Sequence, residues 1–487
     1  MCDRCRRLIF FCIGLAIGLP LNAIAPNALV AQSLDQKHPN ILFIFTDDQA
    51  PWALGASGDP HALTPHLDQL FRQGAYLKNA FTVTPVCSPS RVSLLTGRYG
   101  TEMGITDWLN PRVEPEAGLA PGTPSWVQSL QQTGYRTGLV GKWHLGLTDA
   151  MHPTQFGYDY FMGFRGGGSK PANPTLEKDG TNRKFEGLTP DLLTDHAIEF
   201  IASSKQQPFC LSLHFRAPHA KWLPVAEEDW SPFESLDPSI PNPDYPGLDV
   251  ARVKRMTREY LASVHSVDRN VGRVLQTLDE LHLSDRTIVI FSSDHGYNMG
   301  HNGIWHKGNG HWVVKEPPAG TENIPKGQRP NMYDHSIRVP TAIRWPGVIE
   351  PGTELTQTFS NLDWFPTLLE MAGIDVPKGV PLRGTSFVPV LQGKSVDWDN
   401  GFYGEYSTKH QSRTHMRMYR TPQWKLIRDF RNPGRDELYD LVNDPNESHN
   451  LIASESPKLK QVMAELDGKI RANMKAINDP LLDSLQP

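Results

Sequence analysis

Cys87 begins a short segment whose residue types suit chemistry on an anion. The segment reads C-S-P-S-R over Cys87–Arg91 and continues to the T-G-R of Thr96–Arg98. A thiol can serve as a nucleophile, and the nearby arginine supplies a positive charge. A buried structural thiol is the ordinary alternative for a single cysteine. The serines, proline and arginine at fixed positions after Cys87 favour a chemical role.

Three carboxylates and a histidine form a second candidate set. The pair Asp47 and Asp48 follows one apolar run, and Asp294 and His295 follow another. Hard divalent cations such as calcium bind several carboxylate oxygens at once. An aspartate pair after a strand is otherwise a helix N-cap or a turn. Because Asp294 ends a second apolar run, the sequence favours a calcium site, in which His295 is the weakest candidate since imidazole is a softer ligand.

Lysines and histidines make up the third candidate set. Lys142 and His144 lie in G-K-W-H-L-G, His219 lies in A-P-H-A, and Lys307 lies in W-H-K-G. Taken singly, a lysine is most often a solvated surface charge, and a histidine is most often structural. Taken together, in this order along the chain, the motifs favour a functional role for these residues.

The residues of these motifs and their order along the chain resemble those of the type I sulfatases. In that family the cysteine of C-x-P-S-R is oxidised after translation to formylglycine. A hydrated aldehyde carries two hydroxyls on one carbon, so one can take up sulfate and the other can expel it. The resemblance implies formylglycine at Cys87, a maturation enzyme that makes it, a bound Ca²⁺ ion and a sulfated carbohydrate as substrate. It extends to the C-terminal segment Glu437–Leu451.

The resemblance also implies a role for each candidate. Arg91 would orient the formylglycine, while Lys142 and Lys307 would contact the sulfate. His144 would be the base that releases sulfate, and His219 the acid toward the leaving oxygen, a task that Lys307 could share. The implied calcium ligands are Asp47, Asp48, the modified Cys87, Asp294 and His295.

The elements that must position these residues are predicted to alternate between strands and helices. Continuous apolar runs at 40–45, 209–215 and 287–291 predict strands buried on both faces of a mostly parallel sheet. Residues 257–281 predict a long amphipathic helix, and a helix is expected to start near Ser88. Ligands of open α/β sheets bind beyond the carboxyl ends of the strands. We therefore expect an α/β fold with a large mixed, mostly parallel sheet flanked by helices, which the resemblance identifies as alkaline-phosphatase-like.

The chain is expected to comprise three parts. Residues 1–31 predict a signal peptide, because a basic start precedes the apolar stretch Leu8–Leu21 and then several alanines. Residues 32–390 are expected to form the catalytic domain. Residues 391–487 are expected to form a small C-terminal α+β subdomain on an antiparallel sheet. The signal peptide predicts an exported protein, either periplasmic or secreted, with no membrane span after cleavage.

The net charge and the cysteine count exclude some functions and bonds. The net charge of −5 gives no basic surface for nucleic acid. Of five cysteines, three lie in the predicted signal peptide, which leaves Cys87 and Cys210. If Cys87 is converted, no disulfide remains possible between them.

One segment departs from the family pattern. Residues 308–332 form a polar stretch rich in glycine and proline, and many family members are shorter here. Such a segment is either a disordered surface excursion or a wall of the substrate pocket. His311 and Trp312 favour the wall, because an aromatic face can stack on a sugar ring.

Two other functions use the same fold. Some formylglycine hydrolases related to sulfatases act on phosphate or phosphonate esters. A non-catalytic binding protein on this fold would be marked by loss of Cys87 or of a metal carboxylate, and the sequence keeps them all. Sulfate ester hydrolysis is therefore the expected activity.

Overall fold

The apolar run that begins at Asn40 forms a central strand of a ten-stranded sheet. The computed structural model describes residues 38–484, and the predicted signal peptide lies outside them. The strands are β1 (Asn40–Thr46), β2 (Ala75–Phe81), β3 (Arg136–Lys142), β4 (Tyr160–Phe164), β5 (Thr175–Lys178), β6 (Thr181–Lys184), β7 (Phe209–His214), β8 (Thr287–Ser293), β9 (Asn298–Met299), β10 (Ile304–His306), β11 (Asn309–Trp312), β12 (Gln328–Pro330), β13 (Ala342–Arg344), β14 (Thr353–Ser360), β15 (Phe402–Ser407), β16 (His415–Arg420), β17 (Trp424–Asp429) and β18 (Glu437–Asp440).

The helices lie between these strands. They are α1 (Pro65–Gln73), α2 (Cys87–Thr96), α3 (Trp126–Gln132), α4 (Thr189–Ser204), α5 (Glu227–Trp230), α6 (Val250–Glu280), α7 (Asp334–Ile337), α8 (Trp364–Met371), α9 (Val388–Leu391), α10 (Pro457–Ala476) and α11 (Leu481–Ser484). Helix α6 begins before the predicted residue 257, because the Asp249 side chain accepts a hydrogen bond from the Arg252 N–H at 3.1 Å and caps it. None of the helices in residues 38–484 is both long and apolar enough to cross a bilayer.

The large sheet is mixed, with a parallel centre. Its strand order is β14-β2-β13-β8-β1-β7-β3-β4-β5-β6. Strand β1 pairs in parallel with β7 and β8, and β3 pairs in parallel with β7 and β4. Strand β13 is antiparallel to both of its neighbours, as are the edge strands β5 and β6 to theirs. The predicted α/β fold class is confirmed.

Helices cover both faces of this sheet, which explains the unbroken apolar runs. Alternate side chains of β1 point to opposite faces. Phe43 packs against Trp126 and Trp364 on one face, while Leu42 and Ile44 belong to the core on the other. Full burial of each such side chain stabilises the fold by about 1.5–3 kcal/mol. The two cores fix the strand ends from which the candidate residues emerge.

The C-terminal part forms a separate antiparallel sheet that shares a core with the larger one. Strands β15 to β18 pair in sequence order, and α10 packs against them. The apolar core beneath this sheet also contains Phe81, Val83 and Val86, which directly precede Cys87. The small sheet therefore supports the segment that leads to the candidate nucleophile.

A buried ion cluster joins the two parts. Lys425 of the small sheet donates to Asp334 at 2.8 Å and to Glu447 at 2.6 Å, and Arg420 donates to Asp334 at 2.8 Å. Burial would raise the pKa of Asp334, but Arg420 and Lys425 lower it below its usual range. Each buried charge here thus depends on its partners.

The segment 308–332 is ordered into a second small sheet and is not a disordered excursion. Strands β11 and β12 pair with each other, and β11 also pairs with β10 in the order β12-β11-β10-β9. This pairing sets His311 beside Trp305, with ring centroids 5.4 Å apart. Trp312 packs against the C-terminal core. The segment contributes Asn309 to the wall of the cleft above Cys87, and His311 lies behind that wall, with its ring centroid 5.5 Å from that of the cleft residue His306. Neither aromatic ring itself lines the cleft.

Candidate active site

Four neighbouring strands bring the candidate residues to one edge of the sheet. In the order β8-β1-β7-β3, these strands end close to Asp294, Asp47, His214 and Lys142. Parallel strands present their carboxyl ends on the same side. Residues separated by about 250 positions in the sequence therefore meet in one place, as the sequence predicts.

Cys87 is the first residue of α2 and is only 3% exposed. Its Sγ lies 3.0 Å from Lys307 Nζ, 3.5 Å from Asp47 Oδ1 and 3.5 Å from His295 Nε2. The free N–H groups of the first helical turn give this end of α2 a partial positive charge. An anion at the Cys87 position would thus meet helix amides and an ammonium group together.

Helix α2 is held by residues that face away from the substrate side. Arg91 donates twice to Asp294 Oδ2, from Nε at 3.1 Å and from Nη2 at 2.9 Å. It also donates to the Lys142 carbonyl at 3.3 Å and lies 3.4 Å from His214 Nδ1. Gly97 ends the helix with φ near 66°. Arg91 therefore fixes Cys87 relative to Asp294, and His214 is a supporting residue that the sequence did not reveal.

The carboxylates lie under Cys87 and are fully buried. Asp47, Asp48 and Asp294 are each 0% exposed. Asp48 adopts φ near 70°, and its N–H donates to Asp294 Oδ1 at 3.1 Å. Ligand atoms of Asp47, Cys87, Asp294 and His295 all lie within 4.8 Å of one another. This spacing suits one small cation bound between them.

His295 presents a lone pair to this group. Its Nδ1 lies 3.0 Å from the Gly296 carbonyl, which can only accept, so Nδ1 carries the proton. The Nε2 atom lies 3.2 Å from Asp48 Oδ1 and 3.3 Å from Asp294 Oδ1. An imidazole fixed in this way is arranged as a metal ligand.

Each of the three carboxylates has one cation of the chain beside it, but one carboxylate oxygen is left without a partner in residues 38–484. Asp48 Oδ2 is buried and has no hydrogen-bond partner among the described residues. Burial, reinforced by Asp47, raises the pKa of Asp294 to about 7 although Arg91 donates to it. A divalent cation would give this orphaned oxygen a partner. The residues present therefore fit a calcium ion.

Two lysines form ion pairs with Asp47 and Asp48. Lys142 Nζ donates to Asp47 Oδ2 at 2.6 Å, and Lys307 Nζ donates to Asp48 Oδ1 at 2.6 Å. Burial would raise the pKa of Asp47, but Lys142 and other cations lower it well below its usual range. Burial alone would lower the pKa of Lys307, but Asp48 and Cys87 outweigh it and raise this pKa well above its usual value. Lys307 is therefore a fixed positive charge beside Cys87, whereas Lys142 lies deeper.

The two candidate histidines differ in which nitrogen is free. His144 Nε2 lies 3.1 Å from the Leu109 carbonyl, so Nε2 donates, and the buried Nδ1 has no partner among the described residues. His219 Nδ1 lies 2.6 Å from the Ala220 carbonyl, which leaves its Nε2 free. Burial lowers the pKa of both, that of His219 to about 4. Both rings are neutral without substrate, and an anion bound beside His219 would favour its protonated form.

A cleft of about 530 Å³ opens above Cys87, His144, His219 and Lys307. A volume of this size accommodates a small ligand. Sequence reasoning missed most of the other residues that line it. These are Trp108, Asn110, Arg112, Gly166, Gly167, Gly168, His306, Asn309 and Gln411.

One signal for these missed residues was visible in the sequence. Three consecutive glycines after a strand mark close backbone approach. A Cβ on Gly167 would lie 2.6 Å from His144 Nε2, so the glycine makes room for the histidine ring. Asn309 is the residue of the 308–332 segment that reaches the cleft, and its Oδ1 lies 2.9 Å from His306 Nδ1.

Two family models match the chain. The model described as Sulfatase matches residues 39–374. The model described as N-sulphoglucosamine sulphohydrolase, C-terminal, matches residues 328–476. Together these matches cover residues 39–476, which include all three sheets of the described residues.

Curated proteins and solved structures match over nearly the whole chain. The N-acetylglucosamine-6-O-sulfatase of Bacteroides thetaiotaomicron is 27% identical, over 92% of this chain and 89% of its own. The steryl-sulfatase of Rattus norvegicus is 27% identical, over 91% of this chain and 90% of its own. A structure solved with its substrate D-glucosamine-2-N,6-O-disulfate superposes with a TM-score of 0.78 at 25% identity, covering 91% of this chain and 98% of that one.

Proposed function

Because this chain belongs to the sulfatase family of sulfuric ester hydrolases, we propose that it removes sulfate from a sulfated carbohydrate. The proposed nucleophile is a formylglycine made from Cys87 by a maturation enzyme, and the proposed metal is Ca²⁺. The observation that carries this proposal is the position of Cys87 at the base of a cleft, 3.0 Å from Lys307 Nζ and above three buried carboxylates.

Formylglycine and calcium would supply chemistry that the unmodified chain lacks. Formylglycine, once formed, supplies a hydrated aldehyde whose two hydroxyls can take up sulfate and then expel it. Calcium, held by Asp47, Asp48, Asp294 and His295 together with the modified residue, supplies positive charge next to the sulfate. The fit of the calcium to these residues rests on the orphaned Asp48 Oδ2.

The chain's own residues bind the sulfate and move protons. Lys307 holds a positive charge at the base of the cleft. Lys142 lies beneath it, ion-paired with Asp47, and adds a second positive charge near the sulfate site. The free Nδ1 of His144 is available as the base that supports sulfate release. The free Nε2 of His219, once protonated beside the bound anion, can donate to the leaving oxygen.

Two observations support a carbohydrate as the substrate class. The N-acetylglucosamine-6-O-sulfatase and the complex with a disulfated glucosamine are both relatives with saccharide substrates by name. The cleft is also lined by polar side chains with one half-buried indole, Trp108, which suits a sugar ring better than a flat steroid. The steryl-sulfatase relative makes a steryl sulfate the necessary comparison substrate.

The test is sulfate release by the purified, matured enzyme. Mass spectrometry of the peptide that contains Cys87 should show conversion of the thiol to an aldehyde. Sulfated mono- and oligosaccharides should be hydrolysed faster than steryl sulfate and faster than matched phosphate esters. Full activity with an intact Cys87 thiol would overturn the nucleophile, and faster phosphate hydrolysis would overturn the reaction.

We further propose that the protein is exported, on the strength of the predicted signal peptide at residues 1–31. Expression in a bacterial host with its own export machinery should yield a shortened chain outside the cytoplasm. N-terminal sequencing gives the cleavage point. A full-length chain retained in the cytoplasm would contradict the proposal.

A further inference from the structure

We propose that Arg112 forms a subsite for a second anionic group on the saccharide, a carboxylate or a second sulfate, beyond the ester that is cleaved. This inference rests on the proposed function and names the substrate class more closely. It starts from the loop 107–114, which contributes Trp108, Asn110 and Arg112 to the cleft.

Arg112 is an exposed guanidinium with no partner in the described part of the chain. Its backbone N–H donates to Asn110 Oδ1 at 3.1 Å, but its side chain makes no hydrogen bond or ion pair with residues 38–484. Two acidic residues of this loop already have partners. Asp107 accepts from the Lys409 N–H at 2.7 Å, and Glu114 lies 3.1 Å from His410 Nε2. The charge of Arg112 is thus left free to face a ligand.

The loop that carries Arg112 is held in place from two sides. The Leu109 N–H donates to Ser88 Oγ at 3.0 Å, which ties the loop to the residue next to Cys87. The Trp108 ring packs against His410 at a tilt of 54° with ring centroids 4.7 Å apart, and His410 Nε2 lies 3.0 Å from the Trp108 carbonyl, which ties the loop to the segment after β15. A side chain on a fixed loop loses less freedom when it binds than one on a mobile loop.

The chemistry of the cleft favours an anion at its mouth. None of the described residues that line it is acidic, while Arg112 and Lys307 both carry positive charge. The planar guanidinium fork matches the two oxygens of a carboxylate or a sulfate. Gln411, which also lines the cleft, adds amide donors from the C-terminal part. A saccharide with its scissile sulfate at Cys87 would place a second acidic substituent within this lining.

The experiment compares three substrates of one hexosamine. One carries a single sulfate, the second carries an additional sulfate, and the third carries the single sulfate and a neighbouring hexuronate. Wild-type enzyme should prefer one of the doubly charged substrates by kcat/KM, and which one it prefers identifies the second group. Arg112→Ala and Arg112→Gln should each reduce that preference by about 10–100-fold, as expected for a lost hydrogen bond to a charged group.

The matched control is Arg413→Ala. Arg413 is also exposed and lies two positions after Gln411, but it does not line the cleft. The Arg413→Ala variant removes the same charge and should leave the preference for the doubly charged substrate unchanged. An equal loss in the Arg413 variant would show general electrostatic attraction and overturn the subsite. No preference in the wild type, or equal losses on all three substrates in the Arg112 variants, would also overturn it.

Binding separates this inference from the proposed function. The dissociation constant of the doubly charged saccharides should rise about 10–100-fold in Arg112→Ala, whether or not sulfate is released. Arg112-dependent binding without any sulfate release would uphold the subsite and reject the hydrolase proposal. Sulfate release with binding that is insensitive to Arg112 would reject the subsite and keep the hydrolase.

Discussion

The ammonium group of Lys307 lies 3.0 Å from the sulfur of Cys87. This pair sets a fixed positive charge at the place where a sulfate would be attacked. The same ammonium group donates to Asp48 at 2.6 Å, so the nucleophile and the carboxylate set are linked through one side chain. The variants below test each part of this arrangement.

Cys87→Ser should yield an enzyme that cannot turn over. Serine has one hydroxyl on its β-carbon, so it can take up a sulfate but lacks the second hydroxyl that would expel it. We expect at most one sulfate per enzyme molecule, measured as a stable mass gain on the peptide that contains residue 87. Cys210→Ala removes the other buried thiol and should retain activity. Sustained turnover by Cys87→Ser would contradict the mechanism.

Asp48→Asn and Asp294→Asn should each lose the metal and at least about 100-fold in activity. Metal analysis of the purified proteins measures the first effect, and sulfate release the second. In wild type, calcium at 100 times its Kd should stabilise the fold by about 2.7 kcal/mol, and a chelator should remove this gain. Asp237→Asn, at an exposed ion pair with Lys254, is the matched control and should keep the metal. An active wild-type protein without a divalent ion would refute the site.

His219→Ala should slow substrates according to the basicity of the departing alcohol. A nitrophenyl sulfate leaves readily without an acid and should be affected least, while a sugar sulfate should lose about 10²–10⁴-fold. His144→Ala should instead slow sulfate release to the same extent for every substrate. Steady-state rates on both substrates measure the contrast. Equal losses on the two leaving groups in His219→Ala would transfer the acid role to Lys307.

Gly167→Ala should impair the enzyme through His144. The added Cβ would lie 2.6 Å from His144 Nε2 and would break its hydrogen bond to the Leu109 carbonyl. We expect at least about a tenfold loss in kcat with an unchanged melting temperature, because Gly167 is not in the apolar core. Gly168→Ala is the comparison, since nothing lies within 4 Å of its Cβ position. Similar losses in both variants would show that the glycines act by flexibility alone.

Lys425→Met should destabilise the protein strongly. Lys425 is 0% exposed, and its loss would leave Asp334 and Glu447 buried without their shared cation. The expected cost is about 3–5 kcal/mol of unfolding free energy, measured by denaturant titration. Lys460→Met breaks an exposed pair with Glu455 and should change stability by less than about 1 kcal/mol. Equal effects of the two substitutions would show that the buried cluster contributes nothing.

The sequence predicts the strands and their terminal residues well because these depend on local pattern. Unbroken apolar runs mark β1 and β8, and the carboxylates that follow them must share a sheet edge. The cleft walls depend on contacts between distant segments. Gln411 reaches the cleft only because the segment after β15 folds over Trp108, and no local signal marks it. The strand register that places Asn309 at the cleft and pairs His311 with Trp305 has no local signal either.

The C-terminal sheet, which is synthesised last, packs against Val86, the residue before Cys87. Residues 402–440 complete the core that packs against the segment before Cys87, and in the finished fold only 3% of Cys87 is exposed, at the base of the cleft. If Cys87 is oxidised as proposed, the maturation enzyme would have to reach it before the C-terminal strands pack. Because strands β15 to β18 are the last of the described strands to be synthesised, that interval would last until they pack.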